Sequence, residues 1–156
     1  MSGSTWKQTR AVMRRFALLA VIAAPGCEPS TSREVPPLAA VTLPPELAQV
    51  LRDYEGAYAR RDSSALAKLF APDGYLLPLG DAPVHGNEVV AGRLAREGGA
   101  LSLVPIAFSV SDSVGFVVGM FGAESSASAG GKFVLALRRD ATGVWRVAAD
   151  IANPNR

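Results

Sequence analysis

Arg61-Asp62-Ser63-Ser64-Ala65-Leu66-Ala67-Lys68-Leu69-Phe70-Ala71-Pro72-Asp73-Gly74 is the stretch on which the fold turns. Asp62 stands where a helix N-cap belongs, with a carboxylate able to accept from backbone N–H groups of the first turn. A short helix follows and puts Leu66, Leu69 and Phe70 on its apolar side. Ala71-Pro72-Asp73-Gly74 then has the composition of a turn. Before this stretch the apolar spacing is helical. Beyond it, one further helix apart, the spacing is that of strands.

Working upstream, Pro45 suits a first helical position. Leu47, Val50, Leu51, Tyr54, Ala57 and Tyr58 then recur at helical spacing to about Arg61, with Arg52, Asp53, Glu55 and Arg60 largely outside the stripe. Downstream, Tyr75-Leu76-Leu77-Pro78 reads as a short strand that Pro78 confines to an edge or an end. Leu79 to Gly86 reads as a loop. A third helix from Asn87 to about Arg96 carries Val89, Val90 and Leu94 and stops at Gly98-Gly99. Four strands complete the chain: Leu103 to Val110, with Pro105 at a bulge or at the start, Val114 to Ala123, Lys132 to Arg139 and Val144 to Ala152. Glu124 to Gly131 reads as a mobile loop at the rim. The pattern predicts an α+β fold, with an antiparallel sheet covered on one face by three N-terminal helices.

The N-terminus has the three parts of an export signal: a basic region from Lys7 to Arg15, a short apolar run from Phe16 to Ala24, and Pro25-Gly26-Cys27. The run is too short to cross a hydrocarbon core of about 30 Å as a helix. Ala24-Pro25-Gly26-Cys27 resembles the lipobox of bacterial lipoproteins, which implies a lipid on Cys27; the alternative is an incidental thiol. Residues 1–26 are thus expected to be a signal peptide and 27–44, with Pro29, Pro36, Pro37 and Pro44, a tether. The domain occupies 45–156, and the product is expected to be exported and held at a membrane through Cys27. Over the 156 residues the formal charge is +2, but Lys7, Arg10, Arg14 and Arg15 precede Cys27. Cleavage there leaves 12 basic against 14 acidic residues, a net −2, with no basic run longer than a pair. That excludes a nucleic-acid partner. A single cysteine allows no internal disulfide, so stability must come from packing.

Three segments together resemble the nuclear transport factor 2-like (SnoaL-like) superfamily, in particular its secreted bacterial branch of unassigned function. They are Tyr54…Arg61-Asp62-Ser63-Ser64-Ala65-Leu66…Leu69-Phe70-Ala71-Pro72-Asp73-Gly74, Pro83-Val84-His85-Gly86-Asn87-Glu88 and Gly143-Val144-Trp145-Arg146-Val147-Ala148-Ala149-Asp150. The resemblance covers about Pro45 to Asn153. It implies a cone: three helices wrapped on a strongly curved sheet around an apolar cavity. Members include isomerases, dehydratases, polyketide cyclases and non-catalytic binding or dimerisation modules, so the fold does not decide function. The resemblance puts Tyr54 at the oxyanion tyrosine of the ketosteroid isomerases, but Pro78 where the base aspartate belongs and Leu135 near the second, acidic donor. That argues against this isomerase chemistry.

The candidate catalytic residues are Tyr54, Asp150 and His85. Tyr54 is either a site donor or a buried tyrosine with a local partner. Asp150 lies on the last strand, on the face opposite Trp145, Val147, Ala149 and Ile151. Pointing inward it is a buried carboxylate with a raised pKa; otherwise it is a strand-end acid bonded to backbone or to an Arg. His85, the sole histidine, is either a solvated loop residue or half of a dyad with Asp81 or Asp150. One histidine excludes a histidine-based metal site, and no cofactor is called for. Tyr54, Tyr58, Phe70, Tyr75, Phe108, Phe121 and Trp145 are the expected aromatic lining for a small apolar or amphipathic molecule. An isomerase, dehydratase or hydrolase is the alternative, and a non-catalytic dimerisation module is a third. Phe116, Val118 and Met120 alternate with Val117 and Phe121. Both faces of the sheet are therefore apolar, and a homodimer through the uncovered one is expected.

Overall fold

The computed structural model describes residues 38–123 and 130–155. The expected signal peptide, Cys27, most of the tether and most of the loop from Glu124 to Gly131 lie outside the described residues.

Three helices, α1 (Pro45–Ala59), α2 (Ser63–Leu69) and α3 (Asn87–Glu97), pack on a six-stranded sheet. Its strands are β1 (Phe70–Pro78), β2 (Val84–His85), β3 (Ser102–Val110), β4 (Val114–Gly122), β5 (Gly131–Arg139) and β6 (Trp145–Pro154). The spatial order is β2-β1-β6-β5-β4-β3, in a curved and unclosed sheet. α1 starts on Pro45 and buries Leu47, Val50, Leu51, Tyr54 and Ala57 against the sheet. It ends through Arg61, whose φ of 55° is the left-handed turn that closes a helix. Asp62 then caps α2, its Oδ1 accepting from Ala65 N at 2.9 Å. The core fills the concave side, with Leu47, Leu66, Phe70, Val117, Leu137 and Val147 almost fully buried.

The structure corrects the antiparallel expectation in one place: β1 runs parallel to β6, so the sheet is mixed. The reason lies at the end of α2. Its cap, Phe70, is already extended, and the chain enters the sheet there instead of turning through Ala71 to Gly74. The register with β6 shifts between Phe70 and Tyr75. Gly74 makes this bulge feasible: a Cβ there would stand 2.9 Å from the Ala71 carbonyl oxygen and 3.1 Å from that of Val147. The region read as a loop after Pro78 also contains the two-residue β2, paired with β1.

A second bulge decides where Asp150 points. Ala136 pairs with Ala149 and Leu137 with Val147, leaving Ala148 as the extra residue in β6. Strict alternation would set Asp150 opposite Trp145 and Val147. The bulge reverses the phase, and Trp145, Val147 and Asp150 are all buried on the concave side, while Ile151 is exposed. A third irregularity, at Ile106 beside Pro105, bends the edge strand β3.

Candidate functional site

A cavity of about 350 Å³ lies between α1, α3 and the concave face of the sheet. Leu76, Leu94, Leu103, Phe121, Phe133 and Leu135 supply most of its apolar wall. Gly119 makes room for Phe133: a Cβ there would stand 2.5 Å from the ring.

Tyr54 and Asp150 form the polar part of the wall. The Tyr54 hydroxyl donates to Asp150 Oδ2 at 2.7 Å, in a buried contact between the middle of α1 and the central strand β6. Asp150 is only 4% exposed and has Leu76 of β1 and Leu135 of β5 as its ladder neighbours. Burial among such neighbours disfavours the ionised form and pushes the carboxyl up to about 6, against the opposing pull of the Tyr54 hydrogen bond. The Tyr54 phenol is pushed well above its usual range, by burial first and by the Asp150 charge second, so it remains a donor. Among the described residues no other hydrogen bond reaches the Asp150 carboxylate, and no buried polar side-chain atom is left without a partner. The second carboxylate oxygen is therefore open to the cavity that Asp150 lines.

The rim is ionic. Arg93 of α3 donates to Asp81 in the loop between β1 and β2 at 2.9 Å, and to Glu97 one helical turn on. Tyr58 lines the cavity beside Tyr54, the two rings stacked at 6.4 Å between centroids. Its phenol is pushed up by partial burial and by the Glu97 carboxylate.

The structure brings Tyr54, Tyr58, Phe121 and Asp150 to this cavity. It does not bring the other expected residues there. Phe70 is core behind Tyr54, with ring centroids 6.1 Å apart. Tyr75 is turned to the outer face because the bulge in β1 gives the inward position to Leu76. His85 pairs with Tyr75 across β1 and β2, its ring tilted against the tyrosine ring at 4.5 Å between centroids, so it too stands outside, away from Asp150. Asp81, its other possible dyad partner, binds Arg93. Phe108 packs against the core beyond the bulge in β3 and does not reach the cavity. Trp145 is buried at the start of β6, where its indole N–H donates to Glu46 at 3.0 Å under the Arg139 guanidinium. Sequence reasoning missed Arg93, Glu97 and Phe133. The i,i+4 spacing of Arg93 and Glu97 was the available signal for the first two; Phe133 sits among too many apolar strand residues to stand out.

No family model matches the chain, and no match was found among curated proteins. Solved structures do match. A ketosteroid isomerase-like protein from Erwinia carotovora superposes with a TM-score of 0.59 at 20% identity, over 71% of this chain and 95% of that one. An NTF2-like protein of unknown function from Shewanella oneidensis gives 0.57 at 18%, over 69% and 95%. An NTF2-like protein with a cystatin-like fold from Novosphingobium aromaticivorans gives 0.56 at 18%, over 70% and 79%. The fold is NTF2-like. At these identities the likeness carries the architecture and not an activity, and several unrelated activities use one fold. What a domain with this fold does rests on its own site. Among its described residues no cluster of three or more His, Cys, Asp or Glu side chains could hold a metal ion, and no helix is long and apolar enough to cross a membrane.

Proposed function

We propose that this NTF2-like domain binds a small apolar or amphipathic molecule in its cavity, and that it does so as an exported protein anchored by lipid at Cys27. The observation that carries the first part is the apolar cavity with one convergent buried polar pair, Tyr54 and Asp150. Concave apolar sites with few, well-placed polar groups are the usual form of small-molecule sites. The full chain, exposed to extract of a bacterial host and analysed by native mass spectrometry, should retain a small molecule that displaces on denaturation. A cavity that retains nothing from any extract counts against the reading. The second part rests on the sequence around Cys27. It predicts palmitate labelling that Cys27→Ser abolishes; an unlabelled soluble product would remove it.

One observation favours a second reading. A carboxyl with its midpoint near 6, open to a largely apolar cavity, can take up or release a proton near neutral pH. That suits an isomerase, dehydratase or hydrolase, with Asp150 as the proton carrier and Tyr54 holding it. Pro78 and Leu135 both line the cavity, and neither can serve as the base or acidic donor of a ketosteroid isomerase. Turnover of a retained molecule separates enzyme from binder. The partner expected at the outer sheet face is a second copy, supported by the exposure there of Phe116, Ile151, Tyr75 and Val134. Sedimentation at tens of micromolar tests it, and a monomeric mass would exclude it.

A further inference from the structure

The charges around the cavity do not balance. Three carboxylates, Asp81, Glu97 and Asp150, line it with one guanidinium, Arg93, a formal net −2 with all four ionised. Arg93 is already committed at the rim to both Asp81 and Glu97. No ion pair among the described residues includes Asp150; its hydrogen bond comes from a neutral phenol. A carboxylate held out of water without a counter-charge is unfavourable until a cation meets it. Its second oxygen opens on the space a ligand would fill. Four aromatic rings, Tyr54, Tyr58, Phe121 and Phe133, share that lining. Their negative π faces attract cations, most strongly where water is excluded.

We infer that the ligand is an amphipathic amine, a compact apolar body whose protonated nitrogen pairs with the open oxygen of Asp150 among the tyrosine rings. The inference rests on the small-molecule-binding reading above and narrows it. Glu97 and Asp81 at the rim repel an anion and draw a cation toward the opening. The apolar body takes the side walls formed by Leu76, Leu94, Leu103 and Leu135.

The pairing makes affinity depend on pH. The charged or titratable groups of the lining that face Asp150 are Tyr54 and Tyr58 from α1, Arg93 and Glu97 from α3, and Asp81 from the loop between β1 and β2. Its neighbours in the sheet, Leu76 and Leu135, carry no charge. Both phenols are pushed upward and stay neutral. Amine affinity therefore rises as the Asp150 carboxyl ionises and falls as it is protonated.

Three probes with one cage and different heads test this by isothermal titration of the full chain: 1-adamantylamine, 1-adamantanol and adamantane-1-carboxylate. At about pH 7.5 the amine should bind about tenfold or more tightly than the alcohol, and the carboxylate most weakly. At about pH 5 the advantage of the amine over the alcohol should shrink several-fold. Asp150→Asn should bring the amine to the level of the alcohol at both pH values. If that variant does not fold, the wild-type pH comparison decides alone. Equal affinity of amine and alcohol overturns the amine assignment and leaves the binding reading standing. So does an advantage that survives Asp150→Asn or is undiminished at about pH 5. Failure of all three probes to bind overturns both.

Discussion

Asp150→Asn should make the domain more stable at neutral pH than the natural chain. Burial raises the midpoint of the Asp150 carboxyl from the ordinary 3.8 to about 6. At about 1.4 kcal/mol per unit, the shift corresponds to about 3 kcal/mol. Below about pH 4 the group is protonated both in the folded and in the unfolded chain, and its charge costs nothing. Between about pH 4 and pH 6 the unfolded chain gives up the proton first, so stability falls as pH rises. Above about pH 6 the whole penalty is present. An asparagine at 150 keeps an acceptor for the Tyr54 hydroxyl and has no charge to bury. Urea unfolding of both proteins, compared pH by pH, removes the titrations they share. The variant's advantage should grow by about 3 kcal/mol from acid to neutral pH. A difference that stays flat across that range would refute the claim that Asp150 is an unpaired buried acid.

Three further outcomes follow from the same geometry. Tyr54→Phe removes the hydrogen bond that holds the Asp150 carboxyl down; its midpoint should move above 6 in a carbon-detected NMR titration, and stability at neutral pH should drop by about 1.5–3 kcal/mol. Gly119→Val drives a side chain into Phe133 and the Val104 carbonyl oxygen, each 2.5 Å from the added Cβ; a loss of about 1–3 kcal/mol by chemical denaturation is expected, with weaker probe binding. His85→Ala, on the exposed outer face against Tyr75, should change stability by less than about 0.5 kcal/mol and leave adamantyl probe affinity as it was.

Much of the fold was legible because its signals are local. The stripe from Leu47 to Ala57 marks α1 through the 3.6-residue repeat, and Asp62 marks α2 through a cap that needs only the next three residues. The strands from Leu103 onward alternate plainly enough to be counted. What was not legible depends on residues far apart. The parallel pairing of β1 with β6 joins Leu76 to Asp150, and no local pattern reports it. Strand phase failed at the bulges. Ala148 looks like any small strand residue, yet as the extra residue of β6 it brings Asp150 to the same side as Trp145. Gly74 likewise reads as a turn glycine, and its bulge sends Tyr75 and His85 outward. The site's ionic rim was hidden for a related reason, since Asp81 meets Arg93 only once the loop after β1 folds over α3.

The position of β6 also sets the order in which the molecule can be completed. The last strand in the sequence lies between β1 and β5, in the middle of the sheet. While the chain is being made, α1, α2 and β1 can gather on one side and the β3–β4–β5 meander on the other, with no strand to join them. Closing the loop between two such distant partners is the slow, entropy-limited kind of step. Trp145–Pro154 supplies the strand between β1 and β5, and its docking carries Asp150 to Tyr54. Assembly of the sheet and assembly of the cavity wall are thus one event. Without those ten residues the sheet lacks the strand between β1 and β5, and the cavity lacks Asp150, Ala152 and Pro154.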